Sequence, residues 1–291
     1  MLEDFDFTFA QANVSFLAIL AMSSARIAIL AAREADSFAA LDECRYFGDF
    51  DAFELRFDGC FDFVFISEMD SSGKTKKNKK AKFSYGKFDT LTISADDLRP
   101  GEYFITIAYH GKVTDAMHGL YPCYFTHDGT KKHLLATQFE SHHAREVFPC
   151  VDEPAAKATY DLMLITKPGL TALSNMPIKW SEEKNGLMTT YFEQTPHMSS
   201  YLLAFVVGEL HKKTAHTKSG VEVNIWATPA QSEDTLDFAL DIATRSIDFY
   251  NEYFGVPYPL PKSDHVALPD FSSGAMENWG LITYRESCLL A

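Results

Sequence analysis

The chain of 291 residues is long enough for about two domains, and its 46% hydrophobic content is typical of a globular protein with a core. Its net charge of −14 argues against general nucleic-acid binding, because phosphates would be repelled. The five cysteines are widely spaced and form no C-x-x-C pair, which indicates neither a zinc ribbon nor a disulfide framework and favours a cytoplasmic location.

The N-terminal 80 residues carry few clear signals. Residues 1–4 are acidic where a secretory signal would be basic. The apolar stretch at residues 15–32 is interrupted by Arg26, whereas a membrane span needs about 20 cleaner residues, so we expect buried core and no membrane partner. The sequence of this stretch is compatible with either a helix or a strand. The basic run at residues 71–80 predicts a solvated hairpin loop rather than a patch for nucleic acid or an anionic surface.

From residue 83 onward, alternation with period two predicts an antiparallel sheet. Residues 91–93 and 103–109 alternate, and Arg-Pro-Gly at 99–101 predicts the turn between them. The nearly continuous apolar run at residues 201–209 predicts a strand covered on both faces. Gly208 and the lysines that follow break this run, so we place the end of the first domain at residue 209.

One helix is predicted near the C-terminal end. Ser232 is a suitable N-cap, acidic side chains follow it in the first turn, and Gly255 with Pro257 ends the pattern. Apolar residues at three-to-four spacing predict one buried stripe along this helix. The stripe consists of Leu236, Leu240, Ala243, Ile247, Tyr250 and Phe254.

Polar residues at two places in the chain are candidates for function. Gln138 and Glu140 alternate along a strand-like segment, which would put both on one face of an extended chain. Residues 149–157, with two prolines and acidic side chains, predict an architectural turn. Residues 274–278, Gly-Ala-Met-Glu-Asn, set the carboxylate of Glu277 beside a Gly-Ala step that another backbone can approach closely.

These blocks, in this order, resemble the aminopeptidase N family of gluzincin zinc metallo-aminopeptidases, over about residues 83–291. The resemblance implies a full-length enzyme that uses zinc to remove N-terminal residues from peptides. It implies that Glu277, the predicted catalytic-site residue, grips the free α-ammonium group of the substrate, and that Gln138 and Glu140 meet the same group. The implied substrate-binding residues are Gln138, Glu140, Gly274, Ala275, Met276, Glu277 and Asn278.

The family's zinc motif, H-E-x-x-H, is absent from the sequence. None of the ten histidines is followed by Glu-x-x-His, so we expect no metal ligand among these residues. Adjacent His142 and His143 would point to opposite sides of an extended chain, which favours a solvated or hydrogen-bonded pair over a metal site. Because the motif follows the Gly-Ala-Met-Glu-Asn stretch in the family, we expect an N-terminal fragment that ends before it. The alternative is a non-catalytic β-rich module that binds peptides or other partners.

The predicted fold class is mainly β. The resemblance implies an antiparallel, saddle-like N-terminal β domain at residues 1–209. It implies that residues 210–291 begin an α+β thermolysin-like catalytic domain, which is truncated. The expected partners are peptide substrates with a free N-terminus, and neither nucleic acid nor a membrane.

Overall fold

A computed structural model describes the backbone of residues 16–23, 27–29, 45–46, 52–56, 60–68, 79–87, 89–96, 101–110 and 113–290. This part of the chain is mainly β, as predicted. In chain order its strands and helices are β1 (Phe16–Ser23), β2 (Ile27–Ile29), β3 (Arg45–Tyr46), β4 (Ala52–Arg56), β5 (Cys60–Glu68), β6 (Lys79–Lys80), β7 (Lys82–Tyr85), β8 (Thr90–Ser94), β9 (Gly101–His110), β10 (Gly119–His127), β11 (Thr130–Gln138), β12 (Thr159–Thr166), β13 (Thr171–Ser174), β14 (Ile178–Lys184), β15 (Leu187–Phe192), β16 (Phe205–Gly208), β17 (His211–His216), β18 (Glu222–Ala227), α1 (Asp237–Phe254), β19 (Lys262–Leu268), β20 (Ala275–Met276), β21 (Leu281–Arg285) and α2 (Glu286–Leu289).

The chain divides into two compact units that interleave along the sequence. The first unit consists of Met1–Val113, Phe139–Lys167 and Lys179–Tyr201, and the second of Thr114–Gln138, Pro168–Ile178 and Leu202–Ala291. Because each unit draws on several segments, the units do not mark one border in the chain. The predicted division at residue 209 stays a prediction.

The first unit contains a large sheet and a small one. In the described part of the chain, the large sheet runs β14-β15-β12-β1-β2-β9-β5-β6, with β3 also on β9, and the small sheet runs β4-β8-β7. β1 pairs antiparallel with β12 over its whole length, from Phe16↔Thr166 to Ser23↔Thr159. The apolar stretch at residues 15–32, for which the sequence allowed either helix or strand, forms strands in both of its described pieces, β1 and β2.

Two strands predicted in the first unit are confirmed, although they lie in different sheets of the described part of the chain. β8 and β9 cover the alternating stretches at residues 91–93 and 103–109. The turn predicted before β9 lies largely outside the described residues, as do residues 71–78 of the basic run. Lys79 and Lys80, which end that run, form β6 at the edge of the large sheet.

The second unit contains a four-stranded sheet, β10-β11-β16-β13, and a five-stranded sheet, β17-β18-β19-β21-β20. In the five-stranded sheet β18, β19 and β21 run parallel, while β17 and β20 add antiparallel at the two edges. The predicted strand at residues 201–209 is shorter than expected. Residues Ser200–Leu202 form a 3-10 turn, and the strand is β16, whose four residues are all buried.

Helix α1 differs from its prediction in the residue at which it begins and in the burial of the last two residues of the predicted stripe. The Ser232 side chain makes no capping bond; a 3-10 turn at Glu233–Leu236 precedes the helix, which begins at Asp237 and ends at Phe254, with Gly255 as its C-cap. Leu236 is buried in a cluster against which Leu240 and Ala243 pack. The prediction is wrong for Tyr250 and Phe254, which are 52% and 66% exposed, because this cluster covers only the N-terminal half of the helix.

The exposed end of α1 carries a cluster of aromatic rings. Phe249 stacks on Tyr253 with ring centroids 5.6 Å apart, and Tyr250 stacks on Phe254 at 5.7 Å. All four rings are more than half exposed. In the described part of the chain, no helix is both long enough and apolar enough to span a membrane.

Candidate functional site

The loop at residues 270–280, between β19 and β21, contains the Gly-Ala-Met-Glu-Asn stretch. Within it, β20 pairs antiparallel with β21, and Met276 lies opposite Thr283. Burial alternates along the loop, so Ala275 and Glu277 are exposed whereas Met276 and Asn278 are buried. The alternation puts the Glu277 carboxylate on the surface of the unit.

The exposed and buried residues of the 270–280 loop offer a ligand different groups. Among the described residues, the Glu277 carboxylate has no hydrogen-bond or ion-pair partner. Asn278 donates through Nδ2 to Thr283 Oγ1 at 3.3 Å. Because the side chains of Met276 and Asn278 are buried, these two residues offer a ligand mainly their main chain. A Cβ built at Gly274 would meet only Cys288 Sγ, at 3.7 Å, which leaves the space that the sequence predicted for an approaching backbone.

Gln138 and Glu140 occupy different environments. Gln138 ends β11 and is 7% exposed, and its Oε1 is buried without a hydrogen-bond partner in the described part of the chain. Glu140 is exposed and lies in a turn. The prediction of one extended face is wrong, because the strand stops at Gln138 and the His143 amide closes a turn on Phe139 O at 2.9 Å. The two residues also fall in different compact units.

Asp270 anchors the N-terminal end of the 270–280 loop to β10. Its main-chain oxygen accepts hydrogen bonds from Tyr121 Oη at 3.3 Å and from Cys123 Sγ at 3.2 Å. Its Oδ2 accepts one from the Tyr124 amide at 2.7 Å. Burial raises the pKa of the Cys123 thiol to about 12, so it keeps the proton that it donates at neutral pH.

Arg285, at the end of β21, holds the next part of the loop. Its amide donates to Gly274 O at 3.0 Å, and its guanidinium donates to Phe271 O at 3.2 Å and Ser272 O at 2.8 Å. These three bonds bind one side chain and its backbone to three successive parts of the loop. This role could not be predicted from the sequence, since an arginine after a strand carries no specific signal.

Lys262 and Asn175 hold the C-terminal end of the loop. Lys262 Nζ donates to Gly280 O at 2.7 Å, Asp264 Oδ2 at 2.7 Å and Ser174 O at 2.8 Å. Asn175 Nδ2 donates to the main-chain oxygen of Trp279 at 2.8 Å. Burial lowers the pKa of Lys262, an effect that the neighbouring Asp264 carboxylate opposes.

His265, on β19, is the one histidine within residues 262–285. Its Nδ1 lies 3.0 Å from Tyr284 Oη and its Nε2 lies 3.2 Å from Ser263 Oγ, so both ring nitrogens are engaged. Zinc sites in proteins need at least three protein ligands, commonly histidine, cysteine or carboxylate. In the described part of the chain, no residue of 262–285 belongs to a group of three such side chains close enough to share a metal ion, so the strands and loop around Glu277 do not fit zinc.

The burial of His265 makes the free energy of unfolding depend on pH. The pKa of His265 is lowered to about 4, chiefly by desolvation; the Asp264 carboxylate opposes this shift and the Lys262 ammonium group adds to it. Above pH 6.5 the ring is neutral in the folded and unfolded states. As the pH falls from 6.5 to 4 the unfolded chain binds a proton that the folded chain does not, so we expect a loss of roughly 3 kcal/mol in the free energy of unfolding.

Urea unfolding at several pH values between 7 and 4 tests this expectation, with His265→Gln as the reference. Glutamine keeps a hydrogen-bonding amide but does not titrate, so the variant should lose less stability over the same range. Equal pH dependence of the two proteins would contradict the assignment to His265.

Two other predicted features lie in the first unit. His142 and His143 are hydrogen-bonded as expected, to Ser141 Oγ at 2.8 Å and Glu146 Oε1 at 2.7 Å. Their rings nevertheless stack with centroids 4.5 Å apart, so the expectation that they point to opposite sides is wrong. The chain turns there and is not extended.

The predicted architectural turn at residues 149–157 is held by Asp152. Its buried carboxylate accepts hydrogen bonds from Arg145 Nε at 2.9 Å and from Ser200 Oγ at 3.0 Å. Ser199 Oγ adds a bond to Pro154 O at 2.6 Å. These bonds give the segment a structural role.

Comparison with known proteins finds matches to family models in two stretches of the chain. The model for the Peptidase M1 N-terminal domain matches residues 56–202, and that for the Peptidase family M1 domain matches residues 238–291. Aminopeptidase N of Lactococcus lactis subsp. lactis is 60% identical over 195 residues, which is 65% of this chain and 23% of that protein.

Two further relatives extend the comparison. Aminopeptidase N of Lactobacillus delbrueckii subsp. lactis is 50% identical over 225 residues, covering 76% of this chain and 26% of the relative. Puromycin-sensitive aminopeptidase of Caenorhabditis elegans is 43% identical over 231 residues, covering 77% of this chain and 24% of the relative. The chain thus spans about a quarter of the length of the curated relatives it matches.

Proposed function

Because this chain belongs to the aminopeptidase N family of M1 peptidases, we propose that it carries the part of a zinc-dependent aminopeptidase that holds the free N-terminus of a peptide substrate. The reaction proposed for the whole enzyme is removal of N-terminal residues from peptides. Peptides with a free amino group are the proposed partners, and a cytoplasmic location stays a prediction from the cysteine pattern.

The unpaired carboxylate of Glu277 supports this proposal most directly. The main-chain oxygens of Gly274, Asn278, Trp279 and Gly280 accept hydrogen bonds within the unit, yet the exposed carboxylate between them has no partner in the described part of the chain. An α-ammonium group that leaves water needs negative charge and hydrogen-bond acceptors in exchange. A carboxylate held on an ordered loop meets that need.

Gln138 adds a second acceptor, which is the neutral oxygen of a buried carboxamide. Its Oε1 is buried and unpaired among the described residues, and a buried acceptor without a donor costs about 1–3 kcal/mol. A donor supplied by a bound ammonium group would remove that cost. Glu140 falls in the other compact unit and enters the proposal on the family resemblance alone.

The zinc that the family implies is assigned to residues outside this chain. The residues around Glu277 do not fit the metal, since none of the described residues 262–285 belongs to a group of three possible ligands and His265 has both ring nitrogens engaged. The curated relatives are about four times as long as the stretch that matches, which is consistent with ligands elsewhere in a longer protein.

Glu277→Gln tests the proposed role of the carboxylate. We expect the variant to bind L-leucinamide roughly 10- to 100-fold more weakly, because a charge-assisted hydrogen bond contributes about 1.5–3 kcal/mol. N-acetyl-L-leucinamide, which has no ammonium group, should bind the variant and the original chain equally. NMR titration of the 291-residue chain measures both dissociation constants.

Glu252→Gln, which removes an exposed carboxylate from α1, is the matched control and should leave both constants unchanged. Equal binding of leucinamide before and after Glu277→Gln would contradict the proposal. In a longer enzyme, unchanged hydrolysis of aminoacyl anilides by the same variant would do so as well. Zinc content and anilide hydrolysis of the 291-residue chain separately decide whether it acts only as a binding module.

A further inference from the structure

The C-terminal end of the 270–280 loop is fixed from a separate part of the same unit. Trp279 O accepts a hydrogen bond from Asn175 Nδ2 at 2.8 Å. Gly280 O accepts two, from Lys262 Nζ at 2.7 Å and from the Asp264 amide at 3.1 Å. Two successive carbonyls of the loop are therefore held by three donors, two of them side chains.

Both side chains are themselves fully engaged. Asn175 Nδ2 also donates to Leu202 O at 2.8 Å, and Asn175 Oδ1 accepts from the Ala204 amide at 2.9 Å. The ammonium group of Lys262 has three donors and meets three acceptors, the third being Ser174 O. Neither side chain can shift without breaking bonds to the segments on both sides of it.

A buried ion pair such as that of Lys262 and Asp264 is unusual in the interior of a β-sheet. Lys262 is 8% exposed and Asp264 is 2% exposed, and apolar residues of similar size would stabilise a strand at least as well as a buried ion pair. What the ion pair adds is a defined geometry, since it joins the ends of two segments, residue 174 and residue 280, through one group.

These bonds hold the main chain close to Glu277, which lies three residues before Gly280. The Glu277 carboxylate is exposed and has no partner in the described part of the chain, so no side-chain contact there holds it and the main chain alone sets the point from which the side chain extends. On its N-terminal side the main chain is held by the pairing of β20 with β21. On its C-terminal side it is held by Lys262 and Asn175.

We infer that Lys262 and Asn175 are positioning residues for recognition of the substrate's α-ammonium group, acting on Glu277 through the carbonyls of Trp279 and Gly280. The inference rests on the proposed function. Misplacement of a binding group by about 1 Å can cost 100-fold in an enzyme, so loss of this support should weaken binding even though Glu277 remains.

The test uses the paired variant Lys262→Met with Asp264→Leu in the 291-residue chain. This pair removes the lysine donor to Gly280 O, which keeps its bond from the amide of residue 264, and it leaves no isolated buried charge, so the chain should stay folded. Asn175→Leu, which removes only the carboxamide, is a second and independent variant. Arg245→Met, which breaks an exposed ion pair on α1, is the control.

Two readouts separate positioning from general stability. Amide hydrogen exchange reports the loop at Leu281 in every variant and at Asp264 in Asn175→Leu, where residue 264 is unchanged, because these amides donate to Asn278 O and Gly280 O, both at 3.1 Å. The Met198 amide, which donates to Ala158 O at 2.9 Å in the first unit, is the reference. The second readout is the dissociation constant for L-leucinamide against N-acetyl-L-leucinamide.

We expect faster exchange at the two loop amides only, together with about tenfold weaker binding of leucinamide and unchanged binding of the acetylated compound. Exchange that does not change, or exchange that rises while leucinamide binds as before, would overturn the inference. An original chain that binds both compounds equally would overturn the proposed function instead. Loop exchange would then still show whether Lys262 and Asn175 order the loop.

Discussion

Gly280→Ala is expected to lower the free energy of unfolding by about 3–5 kcal/mol. Gly280 has a φ of 73°, in the left-handed region where a Cβ is unfavourable. A Cβ built there would also overlap with the main-chain oxygen of Asn175, which cannot move away because its own side chain is bonded on three sides. The two costs act together.

Gly255→Ala separates these two costs. Gly255, the C-cap of α1, has a φ of 65° but nothing within 4 Å of a built Cβ. This variant should lose only the conformational part, about 1–2 kcal/mol. Urea unfolding followed by circular dichroism measures both variants. Equal losses would show that contact with Asn175 does not constrain Gly280.

Lys262→Met alone is the second large effect, with an expected loss of about 3–5 kcal/mol. The change leaves the Asp264 carboxylate buried without its counter-charge and leaves Ser174 O without its lysine donor. Desolvation of an unpaired carboxylate is the dominant cost.

Lys262→Met with Asp264→Leu should be more stable than Lys262→Met alone by about 2 kcal/mol or more, because no charge is left behind. The same unfolding experiment compares the two proteins, with Arg245→Met as an exposed cation control. A paired variant that is no more stable than the single one would show that the lost hydrogen bonds, and not the stranded charge, set the cost.

Much of the fold could be predicted because its strands have simple patterns. Period-two alternation located β8 and β9, and a short apolar run located β16. The exposure of Tyr250 and Phe254 could not be predicted, since periodicity shows which residues share a face of a helix but not how far the neighbouring core extends. The turn after Gln138 was missed because a two-residue alternation continues equally well into a turn.

The candidate site was only partly visible in the sequence. A short motif pointed to Glu277, but the groups that hold it come from distant positions, such as Asn175, whose role depends on tertiary contacts. Lys262 and Asp264 did carry one signal: two opposite charges, two residues apart, in the strand Lys-Ser-Asp-His-Val-Ala-Leu. Spacing of two puts both on one face, where a buried ion pair can form.

The ring cluster on α1 bears on how this protein behaves in solution. Phe249, Tyr250, Tyr253 and Phe254 form a contiguous exposed aromatic surface, the kind of patch through which proteins associate in water. The net charge of −14 keeps copies of the chain apart, but salt at about 0.1 M screens that repulsion beyond about 10 Å. Self-association should therefore increase with ionic strength, and dilute, low-salt samples should favour the single chain.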